Sequence, residues 1–237
     1  MAKILFISVY DINAEGIRMM SSLLKESGHQ PFIVFMKRLK RGPVLNPEKD
    51  WVGVAESGKP FRHAVGEEIT RTEENILKRV IRNIGPDVVG FSVCTPTAET
   101  VDRLTKVVRD CFPGPIIWGG PHPTMMVSEC VDHCDYACVG EGDLTIVEIA
   151  DSLDKGSSNL ESIKGIVCGK KDAVTLSSPC PLVEDLDSLP FKDISPEGKF
   201  FIDNDQLITE FKEISYSGNY HLISARGCPF QCTYCCE

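Results

Sequence analysis

The chain has 237 residues, 42% hydrophobic and 25% charged, proportions that set aside a disordered chain, a collagen-like repeat and a disulfide miniprotein. A net charge of −9 has the wrong sign for a general phosphate-backbone binder, so no nucleic-acid partner is expected. No apolar run approaches the roughly 18 residues of a membrane span, and the opening MAKILFISVY reads as a strand and not a signal peptide, so a cytoplasmic protein is expected.

At roughly 150 residues per domain the length predicts one domain and more than half of another. Five short, nearly continuous apolar runs predict strands: KILFISVY (3–10), PFIVFM (31–36), DVVGFSV (87–93), PIIW (115–118) and YACV (136–139). Runs apolar on both sides belong to a parallel sheet with both faces covered. Between them lie helical stripes, carried first by Ile17, Met20, Leu23 and Leu24, then by Ile76, Leu77, Val80, Ile81 and Ile84. A third uses Val101, Leu104, Val107 and Val108, and a fourth Leu144, Val147, Ile149, Ala150 and Leu153. Gly28, Gly85-Pro86 and Pro113-Gly114-Pro115 stop the first three helices. The alternation predicts an α/β domain over residues 1–155, a doubly wound, Rossmann-like, five-stranded parallel sheet; the strand order does not follow from it, and 2-1-3-4-5 is the natural guess.

The stretch from Arg38 to Gly66 has no clear period and reads as a functional or excursive loop on the ligand side of strand two. Its basic residues Lys37, Arg38, Lys40 and Arg41 read as a solvated run. Residues 156–219 read as an interdomain linker with a small hairpin at IKGIVCGKKDAVTL and a proline-punctuated connector after it. Residues 220–237 begin with a strand, YHLISA, that runs into RGCPFQCTYCCE.

Eleven cysteines without a secretory signal favour metal binding, redox chemistry or burial over a disulfide framework. Cys228, Cys232 and Cys235 stand as C-x-x-x-C-x-x-C, a spacing that lets one short loop wrap three thiolates around a compact cluster. A four-iron cube so held keeps one iron without a protein ligand, open for chemistry. The competing reading is a zinc site with Cys236 as fourth ligand, although zinc pairs usually come as two separated C-x-x-C knuckles, which the chain lacks. Cys130, Cys134 and Cys138, with His122 and His133 nearby, could form a second metal site, but the cysteines read as small core residues sooner than as ligands.

The string RGCPFQCTYC, with Tyr234 as the aromatic before the third cysteine, resembles the cluster motif of the radical S-adenosylmethionine enzymes. LVEDLDSLPF resembles the connector of their cobalamin-binding branch, which carries an N-terminal α/β domain of this size. The resemblance implies a 4Fe-4S cluster on Cys228, Cys232 and Cys235, S-adenosylmethionine chelated at the open iron with Tyr234 beside it, and a 5′-deoxyadenosyl radical that abstracts hydrogen from a small-molecule or biosynthetic-intermediate substrate. It also implies an electron donor such as a flavodoxin or ferredoxin. Only the first strand of a catalytic barrel is recognisable, so the enzyme is expected to continue for another ~200 residues and this stretch to be inactive alone.

Ligands of an open parallel sheet bind at the carboxyl ends of its strands. The expected cofactor-binding residues are therefore Asp11, Asn13 and Gly16 after strand one, and Ser92, Cys94 and Thr95 after strand three. Gly119, Gly120 and Pro121 follow strand four, and Gly140, Glu141 and Gly142 follow strand five. Small residues let a bulky flat ligand approach the backbone. The loop after strand one lacks the G-x-G-x-x-G of a dinucleotide site, and strand three ends without the aspartate of a phosphoacceptor receiver. Cobalamin domains of the methionine synthase type carry D-x-H-x-x-G after strand one. This chain has D-x-N-x-x-G, and Asn13 offers no imidazole, a departure that agrees with the radical branch. The expected activity is methylation of unactivated carbon or phosphorus through methylcobalamin, with cyclisation or rearrangement as the runner-up and a non-catalytic cobalamin or zinc carrier as the alternative from another class.

Overall fold

The opening strand, Lys3–Val9 (β1), is buried at six of its seven positions, as a strand covered on both faces must be. The computed structural model describes residues 1–38, 67–157, 159–169, 173–210, 225–228, 230, 232 and 233, and backbone only at 41–42, 51–54, 60–63 and 170. After β1 come α1 (Glu15–Glu26), β2 (Gln30–Met36), β3 (Arg41–Gly42), β4 (Trp51–Val54), β5 (Pro60–His63) and α2 (Arg71–Ile84). The chain continues through β6 (Val88–Ser92), α3 (Ala98–Arg109), β7 (Ile116–Gly119), α4 (Pro121–Met125), α5 (Val127–Cys130), β8 (Tyr136–Cys138) and α6 (Asp143–Asp154). Two hairpins follow, β9 (Ile166–Lys170) with β10 (Ala173–Leu176), and β11 (Lys199–Asp203) with β12 (Gln206–Ile208).

Local chemistry sets the helix limits. Thr70 caps α2 through a capping box with Glu73, and Gly85, in the left-handed region, ends it. Gly28 closes the turn after α1 with φ +81°.

The main sheet runs β10-β9-β8-β7-β6-β1-β2-β11-β12. Its centre, β2-β1-β6-β7-β8, is the 2-1-3-4-5 order of the five expected strands, all parallel. Alternate residues of β1 enter separate cores: Leu5, Ile7 and Val9 pack with α2 and α3, and Ile4 and Phe6 with α1 and α6. This places α1 and α6 side by side over the middle of the sheet, with β1 and β6 beneath them. The fourth helical stripe is corrected by one position: Ile146, Ile149 and Ala150 are buried, whereas Leu144 is 42% exposed.

Three further expectations change. The sheet is not limited to five strands, because β11 adds a sixth parallel strand beside β2 and antiparallel pairings extend both edges. Four short strands within 156–219, the expected hairpin included, thus join the sheet. The 38–66 stretch contributes β3, β5 and β4 to a separate three-stranded antiparallel sheet. Lys37 is not solvated: it is buried, with its ammonium 3.1 Å from the fully buried Glu73 carboxylate. The expected strand at 220–225 lies almost wholly outside the described residues, as do Tyr234, Cys235 and Cys236. Among the described residues no helix is long and apolar enough to cross a membrane.

Candidate functional site

A cavity of ≈ 360 Å³ opens between α1 and α6 at the carboxyl ends of the central strands. Its floor is apolar: Ile4 and Phe6 from β1, Val88 from β6 and Ile117 from β7, with Ile17, Met20, Ile146 and Ile149 descending from the two helices. Gly90 keeps the floor low, since a Cβ there would stand 3.3 Å from the Phe6 ring. The mouth is polar and rich in glycine. Gly16, Ser92, Gly119, Gly120, Pro121, Gly140, Glu141 and Gly142, each singled out from the sequence, converge on this one cavity.

Two of these glycines are dictated by close approach. Gly120 has φ +104°, and a Cβ on it would stand 3.1 Å from the Val93 carbonyl oxygen. A Cβ on Gly142 would stand 3.1 Å from the Met20 sulfur, so glycine there lets the start of α6 close against α1. Both cradle backbone where a side chain would fill space.

Four expected residues do not line the cavity: Asp11, Asn13, Cys94 and Thr95. Asp11 is exposed and makes a local turn, its Oδ1 accepting from the Asn13 amide at 2.9 Å. The Cys94 thiol is pushed up by partial burial and then by the Asp11 carboxylate, so it stays protonated near neutrality. Thr95 Oγ1 lies 3.2 Å from Nδ1 of the buried His122. His133 stacks on Trp118, in the core of the opposite face, with its Nδ1 2.7 Å from Asp102.

The structure adds residues that the pattern did not mark. Arg18, on the buried side of α1, donates to the carbonyls of Ile12 and Asn13 at 2.9 and 2.8 Å and so fixes the loop after β1. Its guanidinium also lies 4.8 Å over the Phe35 ring. Cys138 lines the cavity, and burial pushes its thiol up to about 12, with the nearby Cys180 adding to the shift; it is a neutral wall and not an anionic ligand. Cys130 and Cys134 donate to helical carbonyls in the other core, so the three cysteines do not meet.

At the rim, Glu141 Oε2 accepts from the Val183 amide at 2.9 Å, tying the connector to the glycine loop. Asp143, in the first turn of α6, accepts two bonds from Arg226, at 2.6 and 3.2 Å. A search for apolar periodicity or cysteine spacing passes over such a residue, although Arg226 immediately precedes the Gly227-Cys228 pair. Cys228 and Cys232 are exposed free thiols, and Cys235, the third expected ligand, is outside the described residues. Among the described residues no group of three or more His, Cys, Asp or Glu side chains is placed to hold a metal.

Comparison with known proteins bears on the same segment. Residues 62–150 match the B12 binding domain family. An uncharacterized methyltransferase of Pyrococcus horikoshii is 29% identical over 168 residues, 67% of this chain and 33% of the relative. Anaerobic magnesium-protoporphyrin IX monomethyl ester cyclases are 25% identical over 171 residues in Cereibacter sphaeroides (68% of this chain, 26% of the relative) and 27% over 173 residues in Synechocystis sp. (69% and 32%). The chain thus spans about a third or less of the length of these relatives. Over residues 62–150 the α/β part of the chain is similar to a B12 binding domain, and its parallel-rich sheet fits that family.

Proposed function

We propose that this chain is the cofactor-holding part of a cobalamin-dependent radical S-adenosylmethionine enzyme, most simply a methyltransferase. The observation that carries the reading is the apolar cavity opening among Ser92, Gly119, Gly120 and residues 140–142, within the segment similar to a B12 binding domain. The residues present fit such a group. Gly120 and Gly142 leave backbone bare where a Cβ would crowd Val93 or Met20, and the floor takes a flat apolar arm of a large ligand. A cavity of ≈ 360 Å³ would take part of a corrinoid.

The roles of the side chains follow. Ile4, Phe6, Ile117, Ile146 and Ile149 exclude water from the slot, and Ser92 and Glu141 supply polar groups at its mouth. Arg18 holds the loop after β1 by its carbonyls. Cys228 and Cys232, with Cys235, are the thiolates for a 4Fe-4S cluster. When bound, cobalamin supplies a transferable methyl group, and the cluster with S-adenosylmethionine supplies hydrogen-atom abstraction. Cyclisation is the second reading, favoured by the relatives named as cyclases.

The test is direct. The chain mixed with hydroxocobalamin and passed over a sizing column is expected to carry the corrinoid's visible spectrum with it, and a Gly120→Val chain is expected not to. A folded wild-type chain that emerges colourless refutes the assignment.

A further inference from the structure

Arg226 joins two parts of the molecule that the sequence keeps 83 residues apart. Its Nη1 donates to Asp143 Oδ2 at 2.6 Å, its Nη2 to Asp143 Oδ1 at 3.2 Å, and its Nη1 also lies 3.2 Å from Glu141 Oε2. Two parallel bonds from one guanidinium to one carboxylate fix orientation as well as distance, which a lysine cannot do. The acceptor is itself held: Asp143 is 5% exposed and sits in the first turn of α6, where the helix dipole favours a carboxylate. Immediately after Arg226, Gly227 takes φ +74°, a turn that leads into Cys228. Among the described residues, the side-chain ties from 225–233 to the α/β body are those of Arg226.

The same short rim thus does three things. Gly140, Glu141 and Gly142 line the cavity, Glu141 holds the connector at Val183, and Asp143 with Glu141 holds the cysteine loop. We propose that Arg226 is a positioning residue that latches the cysteine loop to the cavity rim, making the placement of Cys228 and Cys232 and the conformation of residues 140–143 one coupled unit. The latch rests on the proposed function only for what the loop and the cavity carry. Coupling is reciprocal: whatever pins residues 140–143 also steadies the loop, and whatever binds the loop also steadies the rim.

Trypsin reads the latch without any cofactor, because cleavage after Arg226 requires that guanidinium to leave Asp143 and enter the protease. Cleavage at Arg226-Gly227 is followed by mass spectrometry in the wild-type chain and in Asp143→Asn, Asp143→Glu, Arg226→Lys and the double variant Asp143→Asn/Arg226→Lys. Loss of a charge-assisted bidentate pair is expected to speed cleavage about tenfold in Asp143→Asn and in Arg226→Lys, and the double variant is expected to be no faster than either. Asp143→Glu, which keeps the carboxylate, is expected to stay within about threefold of the wild type. Thermal midpoints are expected to agree between the wild type and Arg226→Lys, whose side chain is at the surface, so that faster cleavage there reports the latch and not unfolding. Wild-type cleavage as fast as that of Arg226→Lys overturns the proposal, and so does a double variant whose effects multiply. Cofactor binding is scored separately by comigration with hydroxocobalamin, so a colourless chain with slow cleavage after Arg226 defeats the functional reading and leaves the latch standing.

Discussion

Oδ2 of Asp193 lies 2.7 Å from Nζ of Lys199, and the two side chains are only 5% and 1% exposed. The pair stands where the connector turns into β11, and it is anchored to α1, because Ser21 donates to the same oxygen at 2.7 Å and Lys25 lies 2.8 Å from it. Arg18 reaches the same place, donating to the Asp193 carbonyl at 2.9 Å. A sixth parallel strand is thereby clamped to the first helix of the domain. Asp193→Ala leaves the Lys199 ammonium buried and unpaired, and it is expected to cost about 3–5 kcal/mol in urea unfolding. Asp193→Ala/Lys199→Met, which removes both charges, is expected to recover most of that loss, and a double variant no better than the single one refutes the pairing.

The same carboxylate predicts a pH dependence. Burial alone would push Asp193 up, but bonds from Lys199, Lys25, Ser195 and Ser21 outweigh it and hold the carboxyl well below the usual carboxylate range. A depressed acid contributes stability that is complete above its unfolded value, about 3.9, and is lost as pH falls towards its folded value. The stability gap between wild type and Asp193→Asn is therefore expected to be constant from pH 7 to 5 and to shrink progressively below about pH 4. A gap that stays constant down to pH 2 contradicts this.

Much of the architecture is legible because the five central strands are apolar on both faces and the helices between them keep one stripe. The edges are less so. β11 presents only the short run Phe200, Phe201 and Ile202, and its partner β12 is shorter still. A signal was nevertheless present: Asn204 and Asp205 both take positive φ, at +50° and +60°, and Asn-Asp between two short apolar runs is a hairpin turn of the mirror-image type. At the site, glycines after strands marked the rim, since close approach excludes side chains there. Arg18 and Arg226 stayed hidden because the Asp193 carbonyl and the Asp143 carboxylate that they bond are brought near them only by the fold. Asp11 matched a motif position yet serves a local turn, because a short carboxylate after a strand satisfies its own backbone first.

Gly90 separates folding from binding. A valine suits the interior of a strand, and its Cβ would stand 3.3 Å from the Phe6 ring and not against backbone. Gly90→Val is expected to cost about 1–3 kcal/mol, leaving the protein folded, while raising the floor of the cavity and weakening hydroxocobalamin binding at least about tenfold. Equal affinity in titrations of the two proteins would place the ligand elsewhere.

The cysteine loop makes its own prediction from spacing. After anaerobic reconstitution with iron and sulfide, Cys228→Ala, Cys232→Ala and Cys235→Ala are each expected to lose the cluster's absorbance and EPR signal, and Cys236→Ala to keep them. Side chains of consecutive residues in an extended chain leave it on opposite sides, so one short loop is expected to turn only one of Cys235 and Cys236 inward. Loss of iron in Cys236→Ala equal to that in Cys232→Ala would favour a four-thiolate site.

The last prediction concerns nitrogen near a bound cobalt. Asn13 occupies the motif position where an imidazole would stand, and the histidines whose side chains are described are committed elsewhere. His122 is buried with Nδ1 at Thr95, and His133, exposed on the opposite face, is stacked on Trp118 with Nδ1 2.7 Å from Asp102. His29 accepts at Nδ1 from the Ala2 amide at 3.2 Å and has Nε2 3.1 Å from Asp151, at the end of the sheet away from the cavity mouth. Delivering an imidazole to the cavity would require dismantling one of these arrangements. The Co(II) form of cobalamin bound to the chain is therefore expected to show an EPR spectrum that does not change when every histidine carries nitrogen-15. A changed superhyperfine pattern would mean that a protein imidazole binds the metal, and its disappearance in His122→Ala or His133→Ala would name the residue.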